Sequence, residues 1–334
     1  MKLTRPIQHA AASRFTCAVA GLLLMATPLL SPAAESYPAR PIRLVNPYAP
    51  GGSVDVFCRA TAHHLSGTLG QRIIVDNRPG AGTNIGTEIV VRAQPDGHTL
   101  LCNSGAIAIN PSFYPNLPFR PLKDLTAVAL VVQSPVLLAV HPSVPARSVR
   151  ELIDLARAKP GQITFASSGV GSSVHLALEL FKSLTKVDIA HVPYKGGGQS
   201  LLDLVAGQVH GSFNTPPTLM PHVRTGRLRA LGMGTLKRSE FAPDMPTLIE
   251  QGVAGYDASV WYAVFAPSAT PRAVMQRWND EINRMLQTAE VREQFLASGM
   301  SPLGGSIDDA HAHFVRETAR WSALIREAKI SLVQ

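Results

Sequence analysis

Signatures of catalysis, metal binding and nucleic-acid recognition are scarce in this 334-residue chain. It contains no G-x-S-x-G elbow and no GKT-type phosphate loop, and Gly80-x-Gly82-x-x-x-Gly86 misses the dinucleotide fingerprint by one residue. His63-His64 and His311-x-His313 lack the i, i+4 spacing of metal-binding helices, so neither a metal nor another cofactor is expected. Charged residues make up only 16% of the chain, and Lys and Arg are scattered among acids without a run of one sign or an aromatic stripe. Nucleic acid is therefore not an expected partner, while a weak attraction for anionic solutes is. Cysteine is limited to Cys17, Cys58 and Cys102.

The N-terminus carries Lys2, Arg5 and Arg14, then an apolar run from Phe15 to Leu30 and the small residues Ser31-Pro32-Ala33-Ala34. This order reads as a secretory signal peptide over residues 1–33, cleaved near Ala33 or Ala34, because the run is short of the roughly twenty residues that span a bilayer. Arg14-Phe15-Thr16 before Cys17 lacks the residues of a lipoprotein site, so a soluble periplasmic protein is expected. In that oxidising compartment Cys58 and Cys102 permit one disulfide, with two buried free thiols as the alternative. The remaining residues exceed most single cores and point to two lobes.

Strands and helices alternate along nearly the whole chain. Strands are predicted at 42–45, 71–76 and 98–103, with helices at 54–69 and 86–93 between them, a βαβαβ opening that implies a doubly wound parallel sheet. Apolar strands at 128–133 and 136–141 flank Ser134-Pro135. The same grammar then repeats: helices at 149–159, 174–184, 200–206 and 218–225, and strands at 163–166, 189–193, 209–214 and 228–233. A strand at 260–266 and helices at 270–287, 289–297 and 307–329 complete the pattern. Crossings between lobes are expected near Ser134–Val136 and Asp257–Trp261.

Three glycine-containing loops follow strands and precede helices. In α/β sheets such loops gather at the crevice outside the carboxyl ends of the strands. The first, Pro47-Tyr48-Ala49-Pro50-Gly51-Gly52-Ser53-Val54-Asp55, offers the unpaired N–H groups of a helix N-terminus to a small anion. The second, Ser167-Ser168-Gly169-Val170-Gly171-Ser172-Ser173, adds hydroxyls that suit a carboxylate, although Ser172 or Ser173 can equally cap the helix. The third, Tyr194-Lys195-Gly196-Gly197-Gly198-Gln199, offers backbone and one lysine. Asn103-Ser104-Gly105 and Asn214-Thr215 end strands and add side-chain donors. Asp55 either caps its own helix or accepts from a ligand or bridging water. A hydrolase built on Ser172 and His175 is the enzymatic alternative, but no acid of clear position accompanies the pair.

The first loop, Val75-Asp76-Asn77-Arg78-Pro79-Gly80-Ala81-Gly82, Pro95-Asp96-Gly97-His98-Thr99-Leu100, Ser168-Gly169-Val170-Gly171-Ser172 with His175, and His191-Val192-Pro193-Tyr194-Lys195-Gly196 stand in the order seen in Bug-type receptors. The chain resembles that family, the extracytoplasmic solute-binding components of tripartite tricarboxylate transporters, through Asp244-Met245-Pro246-Thr247-Leu248 and Phe265-Ala266-Pro267 as well. The resemblance implies a two-lobed periplasmic-binding-protein fold of type II-like form, each lobe a doubly wound sheet flanked by helices. The implied lobes are 34–134 plus 259–334 and 135–258, joined by two crossing strands.

It further implies a monomeric receptor, not an enzyme, that closes on a small carboxylate and delivers it to integral membrane subunits. A ligand-sensing partner of a membrane kinase is the remaining alternative. The family's carboxylate-holding positions fall on Tyr48, Gly51, Gly52, Ser53 and Asp55 and on Ser168, Gly169, Gly171, Ser172 and His175. Ser104, Gly196 and Asn214 complete the expected binding set. Where the family often has Phe-Asp-Asn, this chain reads Phe213-Asn214-Thr215, and Thr83 stands where glycine is frequent. The amide in place of an acid removes a negative charge, so ligand identity does not transfer from relatives.

Overall fold

The computed structural model describes residues 37–114, 116–239 and 241–327; the expected signal peptide, its cleavage site and Cys17 lie outside them. The first strand β1 (Ile42–Asn46) leads into α1 (Ser53–Leu69), followed by β2 (Ile73–Asn77), α2 (Asn84–Val91) and β3 (Thr99–Ser104). The expected βαβαβ opening is therefore present. Helix α1 forms because Gly52 is extended at its N-cap and Gly70 closes it in the left-handed region. Val54, Phe57, Cys58, Thr61, Leu65 and Leu69 recur at helical spacing and are buried. Each large apolar side chain among them contributes about 1.5 to 3 kcal/mol by leaving water.

Short helices α3 (Ala106–Ile109) and α4 (Pro121–Asp124), unforeseen in the sequence, lead into β4 (Leu125–Pro135) and β5 (Leu137–Val140). Next come α5 (Val149–Ala158), β6 (Thr164–Ser167), α6 (Ser173–Thr185), β7 (Ala190–Pro193), α7 (Gly197–Val205), β8 (Gly211–Asn214), α8 (Pro216–Arg224) and β9 (Arg229–Met233). The chain ends with β10 (Ser259–Pro267), α9 (Arg272–Gln287), α10 (Ala289–Ala297), β11 (Ser301–Pro302) and α11 (Ile307–Glu327). Helix α7 begins at Gly197, inside the glycine turn and ahead of the Ser200 start expected from the sequence. Glycine is a poor helix former, but here Ser200 Oγ donates to the Gly197 carbonyl and fixes the first turn.

The strands form two mixed sheets. One has the order β11-β4-β10-β3-β1-β2 and the other β7-β6-β8-β5-β9. β1 lies parallel to both β2 and β3, and β6 parallel to both β7 and β8, so helices α1 and α6 start at the carboxyl ends of parallel strands. β10 runs antiparallel to β3 and β4, and β5 antiparallel to β8 and β9. The chain leaves the first sheet at Pro135 and enters the second at Leu137; it returns through Ala258 to Ser259, which pairs with Pro135. Three backbone bonds tie these crossings together: Val136 N–H to Ala258 O, Gly234 N–H to Val136 O and Ala258 N–H to Gly234 O. One apolar cluster runs from Ile42 in the first sheet through Val136 and Leu138 to Phe213 in the second.

Candidate functional site

The first loop is held by a carboxylate. Asp55 is 5% exposed; its Oδ1 accepts from Asn46 Nδ2 at 3.2 Å and Asn77 Nδ2 at 3.0 Å, and its Oδ2 from Gly51 N at 3.2 Å and Arg59 Nε at 2.8 Å. Burial pushes this carboxyl up, but the bonds from Arg59, Asn77 and Gly51 outweigh it and keep the group below the usual carboxylate range. Asp55 thus organises its own loop, with its oxygens engaged by protein donors. Tyr48 is pinned from both ends, its N–H on Asn46 Oδ1 at 3.2 Å and its hydroxyl 2.8 Å from Ser104 Oγ.

The second loop is held by neutral groups. Ser172 caps α6, its Oγ accepting the His175 backbone N–H at 3.2 Å. The imidazole of His175 accepts the Gly171 N–H through Nδ1 at 3.2 Å and stacks on His191 with ring centroids 3.9 Å apart. His191 Nε2 lies 2.6 Å from Ser167 Oγ, which also receives the Gly169 N–H at 3.1 Å. Burial, with the neighbouring His191 and Lys182 charges, pushes His175 down to about 3, and burial with Lys182 takes His191 to about 4. Both rings are therefore neutral near pH 7. The hydrolase alternative fails on geometry: Ser172 Oγ meets the backbone of His175, not its imidazole, and an imidazole this acidic is a weak base.

The loops of the two sheets touch. Ser53 Oγ at the start of α1 bonds Thr215 Oγ1 and lies 2.9 Å from Thr218 Oγ1 of α8. Ala49 N–H donates to Lys195 O at 3.3 Å and the Tyr114 hydroxyl to Val170 O at 3.3 Å. A Cβ on Gly198 would stand 2.5 Å from Pro50 O, so only glycine permits this approach. Between the loops lies a cavity of about 30 Å3, lined by Tyr48, Gly52, Ser53, Ser104, Ser168 and Asn214 among the expected residues. Beside it, sharing the Tyr48 and Ser168 walls, a cavity of about 240 Å3 is also lined by Gly169, Tyr114 and Lys195.

Gly51, Asp55, Gly171, Ser172, His175 and Gly196 line neither space. They shape the loops behind it. Of the inner-cavity lining outside the expected binding set, three residues carry polar side chains: Ser173 and Thr215, which stand in loops already singled out in the sequence, and Tyr262, which does not. Ser173 is the most telling, because its Oγ is buried without a hydrogen-bond partner while it faces the inner cavity. Its neighbour Ser172 takes the capping role, which leaves this hydroxyl unengaged. Tyr262 is set opposite Ser104 by the antiparallel register of β10 and β3, and only that register could reveal it. Cys58 and Cys102 are free thiols, fully buried, and burial with the adjacent Cys58 pushes the Cys102 thiol well up. Among the described residues no group of three His, Cys, Asp or Glu is placed to hold a metal ion, and no helix is long and apolar enough to cross a membrane.

Two mixed α/β sheets joined by crossing strands, with glycine and serine loops facing each other across a cleft, define a periplasmic solute-binding protein. The sequence profile of the "Tripartite tricarboxylate transporter family receptor" matches residues 57–330, and the chain belongs to this family of receptors, which are not enzymes. Protein BugT of Bordetella pertussis is 37% identical over 318 residues, covering 94% of this chain and 98% of that protein. Among solved structures, R. palustris Rpa4515 with adipate superposes with a TM-score of 0.86 at 35% identity, covering 88% of this chain and 99% of that one. MatC from Rhodopseudomonas palustris with bound malate gives a TM-score of 0.82 at 30% identity, covering 86% and 100%.

Proposed function

We propose that this receptor captures a small carboxylate between two lobes, residues 34–134 plus 259–334 and residues 135–258, and presents it to the membrane subunits of its transporter. Residues 1–33 direct export and are then removed, and the working form is a monomer. The observation that carries the reading is the convergence of two helix N-termini, those of α1 and α6, on one small space lined by serine, threonine, tyrosine and asparagine side chains, with an unpartnered Ser173 hydroxyl in its wall. Relatives solved with adipate and with malate supply the ligand class.

In this reading the carboxylate accepts from the backbone and hydroxyls at Gly52, Ser53, Ser168 and Ser173, with Tyr48, Ser104 and Asn214 around it. Asp55, Gly51, Gly171, Ser172, His175 and Gly196 keep the two loops in shape. A space of about 30 Å3 holds little more than a water, so a dicarboxylate enters while the lobes stand apart, and the lobes then close on it to a wider separation than the one seen here. A ligand that touches both lobes stabilises the closed form by its differential affinity, and transport binding requires nothing more. The test is isothermal titration of ligand-free protein against mono-, di- and tricarboxylates, amino acids and aromatic acids. Heat from a carboxylate that vanishes in Ser173→Val supports the proposal, and a panel that gives no heat sinks it.

A further inference from the structure

Behind the crossing strands, on the side away from the cleft, lies a second cavity of about 910 Å3. Side chains alternate across β10: Val260 and Tyr262 line the inner space in front, whereas Ser259 and Trp261 line the rear one. No residue lines both. One wall of the rear cavity is the segment that follows β9, and the opposite wall comes from α10, β11 and α11, so its walls belong to the two different lobes.

The chemistry of this space is uneven. Its apolar surface includes the half-buried Phe241 ring and two leucines left in contact with water, Leu236 at 64% exposure and Leu296 at 44%, whereas Trp261 is buried and contributes little more than an edge. Its acids are engaged: Glu317 Oε2 accepts from Trp261 Nε1 at 3.3 Å and Trp321 Nε1 at 3.0 Å, and Arg320 faces both Glu317 and Asp257. Arg238 is engaged as well, paired with Glu250 at 3.0 Å. Among the described residues, Lys237 is the lining cation that enters no ion pair. His313 also lines the cavity, and its Nε2 is shielded from water without a partner.

We infer that this rear cavity is a second binding site, for a small organic anion with an apolar or aromatic body, and that its occupant holds the lobes closed. The Phe241 ring and the exposed leucines take the body, Lys237 takes the charge, and the volume of about 910 Å3 lies in the range of about 300 to 1,000 Å3 typical of small-molecule sites. The second half of the inference rests on the two-lobe reading above. Rotation about the crossing strands that parts the front loops brings the rear walls together, so a molecule that fits the rear space binds the closed form better. By reciprocity it tightens the front site.

The test uses 8-anilinonaphthalene-1-sulfonate, an aromatic sulfonate of this class, titrated into the mature protein. Saturable binding at one site per chain is expected, weakened by about 10-fold or more in the Leu236→Glu, Leu296→Glu double variant, whose positions are exposed and do not support the core. Lys237→Glu is expected to weaken it by roughly 3-fold or more. Gly198→Ala hinders closure in front without touching the rear walls, and the probe should bind it several-fold more weakly than wild type. No saturable binding, or equal affinity in the leucine variant, overturns the site; equal affinity in Gly198→Ala overturns the coupling. The front-site reading fails or succeeds separately, because it is judged by carboxylate heat that vanishes in Ser173→Val, a residue of the front cavity that the rear one lacks.

Discussion

The loop before α1 and the loop before α6 face each other across the cleft and are stiffened by opposite means. In the first, the buried Asp55 carboxylate gathers four protein donors. In the second, two stacked neutral imidazoles and two serine hydroxyls share the work. A charged anchor is strong and keeps its shape wherever the carboxylate stays ionised. A neutral anchor places no net charge beside an incoming anion, but it fails once its imidazoles take up protons. The two jaws should therefore differ in how they respond to acid and to the loss of a single side chain.

The largest expected effect comes from keeping the first jaw off the glycine turn at the start of α7, which it meets across the cleft. Gly198→Ala sets a methyl 2.5 Å from Pro50 O, so the closed form is penalised while each loop keeps its own support. Carboxylate affinity should fall by about 100-fold with little change in melting temperature, read by calorimetry and thermal denaturation. An unchanged affinity would mean that binding does not need the loops to touch.

Acid should separate the jaws next. His175 and His191 have folded values of about 3 and about 4 against an ordinary 6.5, so the unfolded chain binds their protons first as pH falls. Their contribution is complete above pH 6.5 and is lost as pH drops toward 4, at about 1.4 kcal/mol per pH unit for each imidazole. Asp55, held below its ordinary 3.8, keeps its contribution until the solution is more acid than that. Denaturant melts from pH 7 to 4.5 should show falling stability, with a shallower slope in His191→Gln. Equal slopes in the two proteins would remove the imidazoles from the account.

The smallest effect tests division of labour within the serine loop. Ser172→Ala removes a helix cap and should cost about 1 kcal/mol, seen as a drop of a few degrees in melting temperature. Carboxylate affinity in that variant should stay within about 3-fold of wild type, because Ser172 lines neither cavity. A larger loss would place Ser172 at the ligand.

Much of this arrangement was legible in the sequence. Periodicity gave the βαβαβ opening, and glycines between apolar runs located both loops and narrowed the cap to Ser172 or Ser173. What the sequence withheld is what register and packing decide. Local spacing cannot tell whether Ser172 or Ser173 caps, and the answer determines which hydroxyl is left for a ligand. Nor can it tell that Asp55 turns inward to Asn46 and Asn77, which lie on two other strands or their ends. Tyr262 becomes a site residue only through its place opposite Ser104. The rear cavity draws on five separate stretches of chain, and no window of sequence contains it.

The apolar cluster that passes from Ile42 through the crossing strands to Phe213 bears on how the molecule comes apart. Lobes joined by polar linkers would melt in two steps, one protecting the other poorly. Here Val136, Leu138 and Val260 are shared core, each no more than 3% exposed, so loosening either sheet uncovers apolar surface belonging to both. Heat or denaturant should then remove the whole receptor in a single cooperative transition. A hinge made of buried strands lets the jaws swing while the protein remains, thermodynamically, one body.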